Sequence, residues 1–128
     1  MPDPEKTVLV VEDDRDVREI AMAVLEAEGY RVLEAASGDE AYRLLTAHPD
    51  LRVDVIFTDI VMPGRLDGID LATEAHGLRP ELRVLYATGF ANLIRDHRDS
   101  DLRGPVLQKP YRPGELRRAL SALFEEVG

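Results

Sequence analysis

The sequence has no cysteine and no tryptophan. The missing cysteine removes a disulfide scaffold, a thiolate zinc site and a cysteine nucleophile from consideration. No apolar run approaches the roughly 18 residues of a membrane span. Basic residues are few: 16 Lys and Arg stand against 25 Asp and Glu, a net charge of −9. Such a surface repels phosphate backbones and anionic lipid, so neither nucleic acid nor membrane is an expected partner. The first residues, Met1-Pro2-Asp3-Pro4-Glu5, are acidic and proline-rich, the opposite of a signal peptide, and the expected location is the cytoplasm. What is present is a chain of 128 residues, 45% hydrophobic and 32% charged, enough to bury one core. One domain is expected over 1–128, with its core at about 6–126. There is no linker and no low-complexity segment.

Thr7-Val8-Leu9-Val10-Val11 is a continuous β-branched and aliphatic run that stops at Glu12-Asp13-Asp14. Runs of this kind suit a strand buried on both faces of a parallel sheet. Val17, Ile20, Ala21, Val24 and Leu25 then recur at helical spacing, with Asp14 placed to cap and Gly29 to close. Tyr30 to Ala35 reads as a strand. Ser37 and Glu40 have capping-box spacing ahead of a helix that buries Ala41, Leu44 and Leu45 and ends near His48-Pro49. Val53 to Asp59 is a second apolar run ending in an acid. Met62 to Gly68 is turn chemistry, and Ile69 to His76 is a helix stopped by Gly77. Leu82 to Thr88 is a third buried run, Phe90 to Leu102 a weakly patterned helix, Val106 to Gln108 a short strand before Lys109-Pro110. Pro113 opens a last helix burying Leu116, Leu120, Leu123 and Phe124. Strand and helix alternate about five times, which predicts an α/β fold with a parallel sheet covered on both faces.

Ligands of an open parallel sheet sit beyond the carboxyl ends of its strands. Those ends carry Glu12 and Asp13, Asp59, Thr88 and Lys109. Two carboxylates ~4 Å apart at an effective dielectric near 20 repel by roughly 4 kcal/mol. Three together need a cation or must hold protons. Lys109 supplies one positive charge, and a hard divalent ion such as magnesium would supply the rest, held by one or two carboxylates plus a phosphate. Thr88 and Lys109 suit phosphoryl oxygens. Asp59, on the central strand, suits a nucleophile that forms an acyl phosphate.

Val10-Val11-Glu12-Asp13, Asp59 in Asp-Ile-Val-Met-Pro, Thr88-Gly89 and Lys109-Pro110 together resemble the response-regulator receiver domain of two-component signalling. The resemblance runs from Thr7 to about Phe124. It implies a flavodoxin-like five-stranded sheet of order 2-1-3-4-5. It implies that Asp59 takes a phosphoryl group from a phosphohistidine on a sensor histidine kinase or histidine phosphotransfer protein. Mg2+ would be held by Asp13 and Asp59, by Glu12 through water and by the backbone carbonyl of Val61. Thr88 and Lys109 would bind the phosphoryl oxygens, the Lys109-Pro110 bond would be cis, and a dimer through the fourth helix, fifth strand and fifth helix would be open to it. Such a domain is a switch for an unnamed downstream protein, catalysing only its own phosphorylation and dephosphorylation. The chain closes on its last helix, so a free-standing receiver is expected, with a receiver cut from a hybrid kinase as the sub-case. Two departures stand out. The fifth-strand switch position holds Val106 in place of an aromatic, and the turn from Met62 to Gly68 is one residue longer than the commonest form. Apolar Val61 and Phe90 beside the site would slow water attack on the acyl phosphate.

Other readings compete. A haloacid-dehalogenase-type aspartyl-phosphate phosphatase would share Asp, Mg2+, Thr and Lys, but its second acid two residues after the nucleophile is here Val61. A flavin module of the same fold would meet repulsion from Glu12-Asp13-Asp14. A phosphorylation-independent interaction domain remains as a further alternative. Asp14 reads as a helix cap, Tyr86 and Tyr111 as packing residues, and Arg95 to Asp101 as a solvated helix face. His48, His76 and His97 share no zinc-ligand spacing.

Overall fold

The computed structural model describes residues 6–89 and 102–125. Five strands, β1 (Thr7–Val11), β2 (Arg31–Ala35), β3 (Val55–Asp59), β4 (Arg83–Thr88) and β5 (Val106–Gln108), form one sheet of order β2-β1-β3-β4-β5, every pair parallel. Four helices are described: α1 (Arg15–Ala27), α2 (Gly38–Ala47), α3 (Gly68–Leu78) and α4 (Pro113–Glu125). The last of these is the fifth helix of the sequence reading. The helix expected over Phe90–Leu102 lies, except for Leu102, outside the described residues. No helix among the described residues is long and apolar enough to cross a membrane.

Alternation along each strand divides the core. Val8 and Val10 of β1, Val55 and Phe57 of β3, and Leu85 and Ala87 of β4 face a cluster with Ala21 and Leu25 of α1 and Leu116, Leu120 and Leu123 of α4. Leu9, Val11 and Ile56 face the other way, onto Ala41 and Leu45 of α2 and Leu71 and Ala75 of α3. Ile69 and Ala72 extend that layer over Val84 and Tyr86. This is why Thr7–Val11 carries no polar side chain after its first residue: both faces are covered. Each fully buried aliphatic side chain contributes about 1.5–3 kcal/mol of transfer free energy.

The helix starts follow side-chain chemistry. Asp14 accepts hydrogen bonds from the Asp16 and Val17 amides, and Ser37 from the Glu40 amide. One member of the apolar spacing in α1, Ile20, stays outside the core, 64% exposed. Two expectations need correction. Leu44 and Phe124 are only partly buried. Helix α3 passes through Gly77 and ends at Leu78, where Arg79 follows with its guanidinium donating to the carbonyls of Leu45, His48 and Leu51.

Candidate functional site

With β1 and β3 adjacent and parallel, their carboxyl ends open side by side. Glu12 follows β1 and is held from three directions. Its amide donates to Ala35 O (3.1 Å), its carbonyl accepts from Arg18 Nη1 (2.8 Å), and its Oε2 accepts from the Asp14 amide (3.1 Å). Arg18 also pairs with Glu34 (2.8 Å), tying α1 to the edge strand. Asp59 closes β3, and the next amide, Ile60 N, bonds Ala87 O of β4 (3.0 Å). On the far side, Lys109 N bonds Thr88 O (2.9 Å), and the Lys109-Pro110 peptide is cis, as expected.

Lys109 Nζ lies 2.6 Å from Glu12 Oε1 and 3.2 Å from Asp59 Oδ2. These partners are 97 and 50 residues away in sequence, so only the fold brings them together. Glu12, Asp13 and Asp59 each place a carboxylate oxygen within 4.8 Å of the others, in a geometry able to hold a metal ion. The donors are all oxygen, which fits a hard divalent cation. Thr88 stands fully buried at the end of β4, one residue past the register partner of Asp59. Val61 follows the strand with its side chain half exposed.

Burial raises the Asp59 carboxyl pKa above its ordinary value; the charge and hydrogen bond of Lys109 offset this only in part, and the Asp13 charge adds to the rise. Burial likewise raises Glu12, against the hydrogen bonds from Lys109 and Asp14. Burial alone would lower Lys109, but its hydrogen bond to Glu12 and the charges of Asp59 and Glu12 win, and its pKa rises. A carboxyl whose pKa is raised by folding makes the folded state bind more protons than the unfolded state. Metal-free stability therefore falls as pH climbs from the ordinary carboxylate range through the raised value. Asp59→Asn lacks that contribution. It is expected to melt above the wild type at pH 7 without metal, with the gap closing near pH 4. Thermal melts across pH check this, and a lower melting temperature at pH 7 would refute it.

The fold thus gathers Glu12, Asp13, Asp59 and Lys109 into one pocket, with Thr88 at the adjoining strand end. Asp14 is a cap, as read. Tyr86 is fully buried, and its hydroxyl accepts from the Arg103 amide (3.0 Å). Tyr111 packs edge-on against Phe57 (5.8 Å), and burial pushes its hydroxyl pKa up to about 12. Val106 sits on β5 opposite Tyr86. Among the described residues, no histidine joins a metal-ligating group. Phe90, His97 and the stretch Arg95–Asp101 lie outside the described residues, as does most of the expected fourth-helix face. The hold of Arg18 on Glu12 escaped the sequence reading; its only sequence signal is a cation within the first turn of α1.

Residues 8–121 match the response regulator receiver domain family. The chain belongs to that family. It is 37% identical over 112 residues to the response regulator receiver protein CpdR of Brucella abortus (strain 2308), covering 87% of this chain and 90% of that one. It is 31% identical over 121 residues to the sensor kinase CckA of the same organism, covering 94% of this chain but only 13% of the kinase. The receiver domain of the sensor histidine kinase PA1611 from Pseudomonas aeruginosa PAO1 superposes with a TM-score of 0.83 at 26% identity, over 95% of this chain and 99% of that domain. That structure holds a magnesium ion in its active-site cleft. The chain is therefore a phosphoacceptor receiver of the two-component type, a signalling switch, and the phosphatase reading is not favoured.

Proposed function

We propose that Asp59 accepts the phosphoryl group of a phosphohistidine, carried by a sensor histidine kinase or a histidine phosphotransfer protein. In this reading, residues 1–128 make one receiver domain. Glu12, Asp13, Asp59 and the backbone carbonyl of Val61 hold Mg2+, and Thr88 and Lys109 bind the phosphoryl oxygens. The observation that carries it is the single ammonium of Lys109 shared by Glu12 and Asp59, with Asp13 beside them, at the carboxyl edge of a parallel sheet.

Asp59 attacks phosphorus through one carboxylate oxygen. The O–P bond forms as the P–N bond breaks, and the P–N electron pair returns to an imidazole already protonated on its other nitrogen, which leaves neutral. When bound, Mg2+ neutralises the clustered carboxylates and the charge on the transferring oxygens. Lys109, fixed beside the Asp59 oxygen, meets that charge from the other side, and Thr88 supplies a hydroxyl donor. Positioning and charge neutralisation are most of what this transfer asks of the protein.

Incubation with acetyl phosphate and Mg2+, followed by peptide mass spectrometry, tests the assignment. The adduct is expected on Asp59, absent without Mg2+ and absent in Asp59→Asn. An adduct that forms without metal, or on another carboxylate, overturns it.

A further inference from the structure

The turn after β3 is fastened at a point the mechanism does not use. Asp39, in the first turn of α2, accepts the Arg65 amide at Oδ2 (3.1 Å) and the Leu66 amide at Oδ1 (3.2 Å). Gly64 just before them has φ +108°, a conformation L side chains rarely adopt, and a Cβ there would stand 3.0 Å from Asp39 Oδ2. On the strand side the chain is pinned at Ile60, whose amide bonds Ala87 O and whose carbonyl accepts from Gly68 N (2.8 Å). On the helix side Asp67 and Asp70 form a capping box. Only residues 61–64 hang between Ile60 and the Asp39 clamp, and Met62 within them is buried in the core. Val61 is therefore suspended between two buried neighbours and one carboxylate reaching over from another helix.

We propose that Asp39 is a positioning residue of the metal site. Its carboxylate fixes the path of residues 61–66, and with it the Val61 carbonyl, so that Mg2+ affinity depends on a side chain standing on none of the strand ends. The turn, which reverses at Gly64 with positive φ, needs this fastening. Without it, the backbone from 61 to 66 must be ordered at the moment the ion binds. The inference rests on the proposed Mg2+ site, and the experiment separates the two.

Mg2+ titration by calorimetry is run on the wild type, Asp39→Ala, Asp39→Asn and Asp13→Ala, with amide hydrogen exchange read at Arg65 and Leu66. Outer groups that hold a metal ligand in place typically govern 10–100-fold in affinity, so Asp39→Ala is expected to raise the Mg2+ Kd about tenfold. Asp39→Asn, with one carbonyl acceptor left, should fall between. Faster exchange at Arg65 and Leu66 should accompany the loss, and Mg2+ should slow it again. Unchanged affinity in Asp39→Ala, with binding lost in Asp13→Ala, overturns the role of Asp39 and leaves the metal site standing. Weakened affinity with exchange unaltered at both amides overturns it too, because the effect then bypasses the turn. Wild-type binding in Asp13→Ala overturns the metal-site reading itself, and the inference with it.

Discussion

Lys109→Met is expected to bind Mg2+ more tightly than the wild type and yet to lose nearly all phosphorylation. The two effects separate because Lys109 plays opposing parts. Before transfer, its ammonium sits 2.6 Å from Glu12 and 3.2 Å from Asp59, competing with any other cation for the same carboxylates. Like unit charges ~4 Å apart at an effective dielectric near 20 oppose each other by about 4 kcal/mol, so an affinity gain of about tenfold is a modest expectation. During transfer it neutralises phosphoryl oxygens, and losing one aimed donor of this kind typically costs about 100–1,000-fold in rate. Metal-free stability should also suffer. The Glu12 and Asp59 side chains are 8% and 12% exposed, and removing their cation leaves two nearly buried carboxylates facing each other. Breaking a buried pair costs about 3–5 kcal/mol; Lys109 itself is 25% exposed, so about 2–3 kcal/mol at pH 7 is expected. Both carboxyl pKa values, already raised by burial, rise further in the variant. The deficit therefore grows as pH climbs past the ordinary carboxylate range, and Mg2+ removes it. Calorimetry, acetyl phosphate labelling and urea titration read the three quantities. Wild-type labelling with unchanged Mg2+ affinity would place Lys109 outside the chemistry.

The ends of β1 and β3 were legible because each buried run is broken by a carboxylate that cannot be buried alone, Glu12 and Asp59; Lys109 instead follows a short, mostly exposed strand and was marked by the Lys-Pro pair. Their meeting point followed from parallel topology. What the sequence concealed lies where two elements touch. Asp39 reads as an ordinary first-turn acid, and nothing local says that it reaches the amides of residues 65 and 66. The Asp67–Asp70 capping box went unread where a stretch read as turn meets the next helix, since the usual partner is Glu or Gln and Asp is one carbon shorter. Ile20 misled for a geometric reason. At about 100° per residue it stands roughly 100° from Ala21 and 140° from Leu25 around α1, while Arg18 lies nearer that buried side. Accordingly the Arg18 side chain is 13% exposed and Ile20 is 64% exposed. Apolar spacing alone did not show which edge of the stripe meets the sheet.

Two glycines of the same helix are expected to respond to alanine with opposite signs. Gly77 lies within α3, and a Cβ there meets nothing within 4 Å. The helix runs through it because one glycine costs only about 1 kcal/mol relative to alanine, less than the packing of Leu71, Ala72 and Ala75 returns. Gly77→Ala should therefore stabilise by about 0.5–1 kcal/mol. Gly68 opens α3 at the foot of the site. A Cβ there would stand 2.2 Å from Asp59 O, 2.8 Å from Ile60 Cα and 3.0 Å from Asp59 C. All three are backbone atoms of the strand end that carries Asp59, so no rotamer change relieves the clash. Helix α3 must lift from β3, breaking the Gly68 N to Ile60 O bond of 2.8 Å and uncovering Ile69. Gly68→Ala should lose about 3 kcal/mol or more, a fall in melting temperature on the order of 10 °C. Its acetyl phosphate labelling should drop even at temperatures where it remains folded, because the Asp59 carboxylate moves with its backbone. Gly77→Ala should label at the wild-type rate. Equal stability of Gly68→Ala and the wild type would mean that α3 does not press on the phosphoacceptor strand, and that the position of Asp59 is set by the sheet alone.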